Sequence, residues 1–167
     1  MKKLLLPVLL VAIGFVMSMC GTDPYAASCV NEYSASQDTL DQRTIRDFIT
    51  RKHMTGVKKT ESGISYYIYR EGTGQKPRST SSIIADYRGS RVADTTGKAF
   101  DSAGYKPQFA MNNVIAGWTE GLQLIGEGGK IRLMIPSHLA YGSCGNGSIA
   151  PNTPLVFDIE LVEVVKY

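Results

Sequence analysis

Along most of the chain, apolar side chains recur at every second position. Ile83, Ala85 and Tyr87 alternate with Ile84, Asp86 and Arg88, and Ile131, Leu133 and Ile135 alternate with Lys130, Arg132 and Met134. The same period runs through Leu155, Phe157, Ile159 and Leu161 against Val156, Asp158, Glu160 and Val162. Successive strand residues point to opposite faces, so this pattern predicts an antiparallel sheet with one apolar and one wet face. Residues 64–70 (ISYYIYR) add a tyrosine-rich strand, closed by the turn signal Gly72-Thr73-Gly74. One segment changes period. Val114, Ile115, Trp118 and Leu122 share a helical face, which predicts a short amphipathic helix over 114–124. The apolar side of a sheet needs a cover, and this helix supplies it. The expected fold is α+β, a curved antiparallel sheet wrapped around one short helix.

The first part of the chain follows other rules. Lys2 and Lys3 precede an apolar run over 4–17 of about fourteen residues, shorter than the roughly 20 that span a bilayer as a helix. Residues 1–19 therefore read as an export signal. Met17-Ser18-Met19-Cys20 resembles the lipobox of bacterial lipoproteins, which makes Cys20 the lipid-attachment residue. Processing near Ala26-Ala27-Ser28-Cys29 and an uncleaved anchor are the alternatives, and the chain is exported on each reading. Export puts Cys29 and Cys144 where they either pair or stand as free thiols. Residues 20–37 are polar and read as a tether. An N-terminal helix is expected over 38–56, with Thr39 and Gln42 at capping-box spacing and Gly56 as its C-terminal stop. Its stripe of Ile45, Phe48 and Ile49 packs either on its own domain or against a second copy.

Composition narrows the function. A length of 167 residues with 43% hydrophobic content suits one folded domain plus terminal attachments. The net charge is +3, and without Lys2 and Lys3 only 16 basic residues face 15 acidic ones, so no nucleic-acid footprint is expected. Three cysteines and two histidines are too few and too scattered for a structural metal site. Gly145-Asn146-Gly147-Ser148-Ile149-Ala150 does not open a helix after a strand, so it carries no dinucleotide signature. Gly126-Glu127-Gly128-Gly129-Lys130 is no phosphate loop, because Ile131 stands where a hydroxyl residue belongs and Leu124 where the first glycine belongs. There is no G-x-S-x-G elbow; His53 reads as a solvated residue near a helix end, and His138 lies just ahead of a Tyr-Gly turn, with a role at the rim of the site as the lesser alternative. What remains is an aromatic-rich domain whose working surface is expected to be apolar.

Five tracts, in order, carry a resemblance. They are Asp86-Tyr87-Arg88-Gly89, Gly97-Lys98-Ala99-Phe100-Asp101-Ser102, Val114-Ile115-Ala116-Gly117-Trp118-Thr119-Glu120-Gly121, Leu139-Ala140-Tyr141-Gly142, and Leu155-Val156-Phe157-Asp158-Ile159-Glu160-Leu161. Together they make residues 82–164 resemble the FKBP-type peptidyl-prolyl cis-trans isomerases, within a domain taken as 57–167. The leader and N-terminal helical extension are similar to those of exported bacterial members. The resemblance implies a pocket in which Tyr87, Asp101, Tyr141 and Phe157 serve catalysis and Phe100, Val114, Ile115, Trp118 and Ile149 bind substrate. Trp118 would be the floor beneath a proline ring, and Tyr87, Phe100 and Phe157 the walls. The Ile115 N–H and the Tyr141 hydroxyl would hold peptide carbonyls, with Asp101 organising polar contacts at the edge. It further implies proline-containing polypeptide clients, macrolide ligands of the family, and no metal or cofactor.

Two departures stand out. Pro107 occupies a position where small eukaryotic members place a pocket aromatic, and the loop after Tyr141 is compressed around Cys144, Asn146 and Ser148. A binding module on the same fold that turns over little is the second reading.

Overall fold

The computed structural model describes residues 33–165. The expected signal peptide, Cys20, Cys29 and most of the expected tether lie outside them. The elements are α1 (Ala35–Arg51), β1 (Lys58–Lys59), β2 (Ser65–Arg70), β3 (Ser82–Arg91), β4 (Asp101–Ala103), β5 (Gln108–Ala110), α2 (Ala116–Gly121), β6 (Lys130–Ile135) and β7 (Leu155–Val165). Short 3-10 turns at Met111–Asn113, Leu122–Leu124 and Ser137–Leu139 link them.

All seven strands join one antiparallel sheet in the order β1-β2-β6-β7-β3-β4, with β5 also paired to β3. The two long strands, β3 and β7, form its centre, with Tyr87 opposite Ile159 and Gly89 opposite Phe157. The alternation holds as expected. Ile83, Ala85, Ile131, Leu133, Ile135, Ile159 and Leu161 are fully buried on the inner face. A register shift between Ile84 and Ala85 skips Val162 in β7 and keeps Val164 inside, a bulge that bends the sheet around its cover.

That cover is α2. Gly117 and Gly121 lie one helical turn apart, and a Cβ at either would run into Ile135 or Leu133 on β6. Two missing side chains let the helix lie flat on the sheet and press Trp118 and Leu122 into the core. The helical segment is shorter than its apolar period predicts. Val114 and Ile115 precede α2, with Ile115 as its N-cap, and the segment ends in 3-10 geometry over Leu122–Leu124.

The outer face is not wet throughout. α1 lies against it and buries Ile45 and Phe48 on Val92, Met134 and Val156. Met134 and Val156, assigned by alternation to the solvated side, are therefore core residues of a second, smaller cluster. The apolar stripe of α1 packs on its own domain. The helix starts earlier than the Thr39–Gln42 signal predicts, because Ser34 is the N-cap and its side chain accepts the Gln37 N–H at 3.4 Å. Ser34 and Gln37 repeat the same capping spacing one turn upstream, and Thr39 inside the helix donates its hydroxyl to the Ala35 carbonyl. The helix ends at Arg51, so Gly56 (φ +72°) serves a later turn instead of the C-cap. On the rest of the outer face, Arg132 makes a two-pronged pair with Asp158, both contacts at 2.8 Å. Among the described residues no helix is long and apolar enough to cross a membrane.

Candidate functional site

At one end of α2, six aromatic rings line a cavity of about 320 Å³, five of them packed edge to face on one another. Trp118 is 4% exposed and lies centrally, with its ring 5.2 Å from Tyr87, 5.4 Å from Phe109 and 5.3 Å from Phe157, all near perpendicular. Phe100 meets Phe157 edge-on at 5.7 Å. Edge-to-face packing sets positive ring edges against negative faces, which fixes the walls without polar bonds.

The strands explain this convergence. β3 points Tyr87 inward, and two residues on, at the next inward position, Gly89 presents no side chain. A Cβ at Gly89 would strike both Phe157 and Phe100, so the glycine is what admits those rings over the strand. The Phe100 N–H donates to the Gly89 carbonyl at 3.0 Å, which holds the turn before β4 against the same spot. Arg91 stands over the outer side of the Phe100 ring at 5.8 Å.

Polar groups are few. The Tyr87 hydroxyl donates to Asp101 Oδ2 at 2.6 Å. Burial, then the bond to Asp101 and the charge of that carboxylate, push the Tyr87 phenol well above its ordinary range, so it is a neutral donor at physiological pH. The N-cap position of Ile115 leaves its N–H without an intrahelical acceptor at the cavity wall. Thr119 secures that segment by donating its hydroxyl to the Met111 carbonyl at 2.7 Å. Tyr141 lines the cavity from the loop beyond the Ser137–Leu139 turn. The indole N–H of Trp118 is buried with no acceptor among the described residues.

Of the residues singled out from sequence, Tyr87, Phe100, Asp101, Val114, Ile115, Trp118, Tyr141 and Phe157 all line this cavity. Ile149 does not. It is 6% exposed, packs into the core and is tied to Asn146 by a pair of backbone bonds, so Asn146 takes the lining position. Phe109 and Asn113 also line the cavity and escaped the sequence reading. Phe109 lies in a strand of three residues, too short to show a period, and only its pairing opposite Ile83 turns it inward. It supplies an aromatic wall close to where Pro107 offers none. His138 turns away from the cavity, towards α1, 3.5 Å from Asp38. His53 is exposed in the turn after α1.

Cys144, three residues beyond Tyr141, is disulfide-bonded. The chain's two other cysteines, Cys20 and Cys29, lie outside the described residues. Among the described residues no three metal-ligating side chains gather. A larger concavity of about 740 Å³ opens on the outer face of the sheet, but Arg132, Asp158, Lys130 and Glu160 there already pair with one another. It has no ring cage like that around Trp118.

The sequence pattern of the FKBP-type peptidyl-prolyl cis-trans isomerases matches residues 73–162. An FKBP-type peptidyl-prolyl cis-trans isomerase FkpA from Aeromonas hydrophila is 46% identical over 114 residues, which is 66% of this chain and 41% of that protein. The protein of the same name from Escherichia coli (strain K12) is 42% identical over 112 residues, covering 65% of this chain and 40% of its own length. The chain thus spans less than half the length of these relatives. A crystal structure of a peptidyl-prolyl cis-trans isomerase from Pseudomonas syringae aligns with TM-score 0.68 and 34% identity, over 83% of this chain and all of that one. That of FkpA from Escherichia coli aligns with TM-score 0.68 and 37% identity, over 78% of this chain and 60% of that one. With more than half of its residues inside the family pattern, and its fold in agreement, this chain belongs to the FKBP-type peptidyl-prolyl cis-trans isomerases.

Proposed function

We propose that the chain catalyses cis–trans isomerisation of X–Pro bonds in exported polypeptides. The observation that carries this reading is the ring cage around buried Trp118, with a single fixed polar pair at its edge. Rotation about a peptide bond faces a barrier of about 18–20 kcal/mol, because resonance gives the C–N bond double-bond character. Twisting removes that resonance and reduces charge separation, so a dry apolar cavity favours the twisted form relative to water. The proline ring lies on Trp118 between Tyr87, Phe109 and Phe157. The Ile115 N–H and the Tyr141 hydroxyl hold the flanking carbonyls, so the rest of the peptide stays fixed while one bond turns. Asp101, holding the Tyr87 hydroxyl, orders the entrance. Every 1.4 kcal/mol or so of preference for the twisted state is worth tenfold in rate.

The N-terminal sequence supports export to a bacterial envelope and lipid attachment at Cys20. A lipid joined through the sulfur of Cys20 leaves Cys29 as the disulfide partner of Cys144. The clients are proline-containing chains passing through that compartment, and macrolide ligands of the family occupy the same cavity.

The test is exchange of short X–Pro peptides measured with and without the protein. Acceleration that a macrolide abolishes establishes the activity and its place. No acceleration by a folded sample, across several residues before proline, would replace catalysis with a binding role.

A further inference from the structure

α1 reaches the candidate site through one buried side chain. Asp41 is 1% exposed, and its Oδ2 accepts the Ser137 N–H at 2.6 Å while Oδ1 accepts the Gln37 side-chain N–H at 2.8 Å. Ser137 is itself 2% exposed, and its carbonyl accepts the N–H of Ala140 at 2.9 Å and of Gly142 at 2.8 Å. Those two residues flank Tyr141. The loop continues inward from the same anchor, since the Gly142 carbonyl accepts the Asn152 N–H at 2.7 Å and the Tyr141 carbonyl the Gly145 N–H at 3.0 Å.

A buried carboxyl is costly unless its hydrogen bonds are made. An apolar side chain would serve the packing of α1 equally well, as Ile45 one turn later does. What Asp41 adds is an acceptor for a backbone N–H outside its own helix. Gly142 (φ +53°) and Gly145 (φ +68°) bring no side chains to the packing of the loop, so fixed backbone bonds contribute to where the phenol stands.

We infer that Asp41 is a positioning residue for the isomerase site, setting Tyr141 through the Ser137 backbone; the inference rests on the role given to Tyr141 above. The full chain with Asp41→Ala should lose about tenfold in kcat/KM for an X–Pro peptide, chiefly in kcat, while Asp41→Asn, which keeps an acceptor, stays within about twofold of the parent. Against a Tyr141→Phe background, Asp41→Ala should cost less than about twofold, since residues acting through one another are not additive. Equal losses in the two backgrounds, or an Asn variant as impaired as the Ala variant, would overturn it.

Amide hydrogen exchange supplies a reading that does not need turnover. In Asp41→Ala the N–H groups of Ser137, Ala140 and Gly142 should exchange about tenfold faster while that of Ile159 is unchanged. Unchanged loop exchange in a folded variant would refute the relay even if the parent protein proved inactive. An inactive parent with accelerated loop exchange would refute only the catalytic reading.

Discussion

The Tyr87 hydroxyl and Asp101 Oδ2 meet at 2.6 Å between neighbouring strands. Asp101 pairs in register with Gly89, so the phenol reaches diagonally past the glycine to the exposed carboxylate. One bond thereby joins an inner wall of the cavity to its outer edge.

This relationship sets an alkaline signature. The Tyr87 phenol is raised above 10.0, so the neutral form is favoured in the folded protein. The stability it contributes is complete below pH 10 and falls as pH rises beyond that value, because the unfolded chain releases the proton first. Tyr69 is shifted the same way, by burial and then by the charge of Asp158. In a phenolate absorbance titration, Tyr87 and Tyr69 should ionise late, above pH 10, and Tyr87→Phe should remove one of these late steps. A titration from which Tyr87→Phe removes no late step would contradict the bond.

Trp118 is the chain's single tryptophan, so its fluorescence reports the cavity alone. Emission should be that of a buried indole and should change when an X–Pro peptide enters. Trp118→Phe, which keeps most of the core filled, should lower kcat/KM by about tenfold. Trp118→Ala should in addition cost about 3–5 kcal/mol of stability. Emission indifferent to a peptide that is isomerised would move the proline elsewhere.

Gly89→Ala tests the seating of the rings. The new methyl meets Phe157 and Phe100, and overpacking of this kind costs about 1–3 kcal/mol. Displaced walls should raise KM as well as lower the melting temperature. A folded variant of parental stability and KM would show that the rings do not depend on the empty position.

Tyr141→Phe removes one hydroxyl and leaves the ring. Turnover should drop about tenfold with no change in melting temperature, as expected for loss of one directed hydrogen bond in the twisted state. An unaltered rate would take that hydroxyl out of the mechanism.

Membrane fractionation of Cys20→Ala tests the lipid site. The variant should leave the membrane fraction while the parent stays in it, and, on the proposed pairing with Cys29, its Cys144 should remain inaccessible to thiol reagents. Continued membrane association would refute lipid attachment at Cys20.

The sheet was legible where strands are long. β3, β6 and β7 repeat their period three times or more, and the inner core follows from it residue by residue. β4 and β5, three residues each, carry no period, and Phe109 was hidden with them. Met134 and Val156 were misplaced because alternation records which face a residue occupies, not what later covers that face. The two capping signals of α1 were indistinguishable locally. Most of the cavity came through the five tracts together, whereas Ile149 shows that a position in a matching loop can be core instead of lining. The link from Asp41 to Ser137 spans 96 positions and leaves no local trace at all.

Ile135 and Leu133 never touch the cavity, yet they carry the helix that forms its floor, because α2 rests on them through two bare glycines. Any shift of that helix on β6 would carry Trp118 with it, and so move one of the rings that line the cavity. Exchanging Ile135 for Val or Leu therefore offers a way to deepen or shallow the space for a ring from behind, leaving every residue that a substrate meets unchanged.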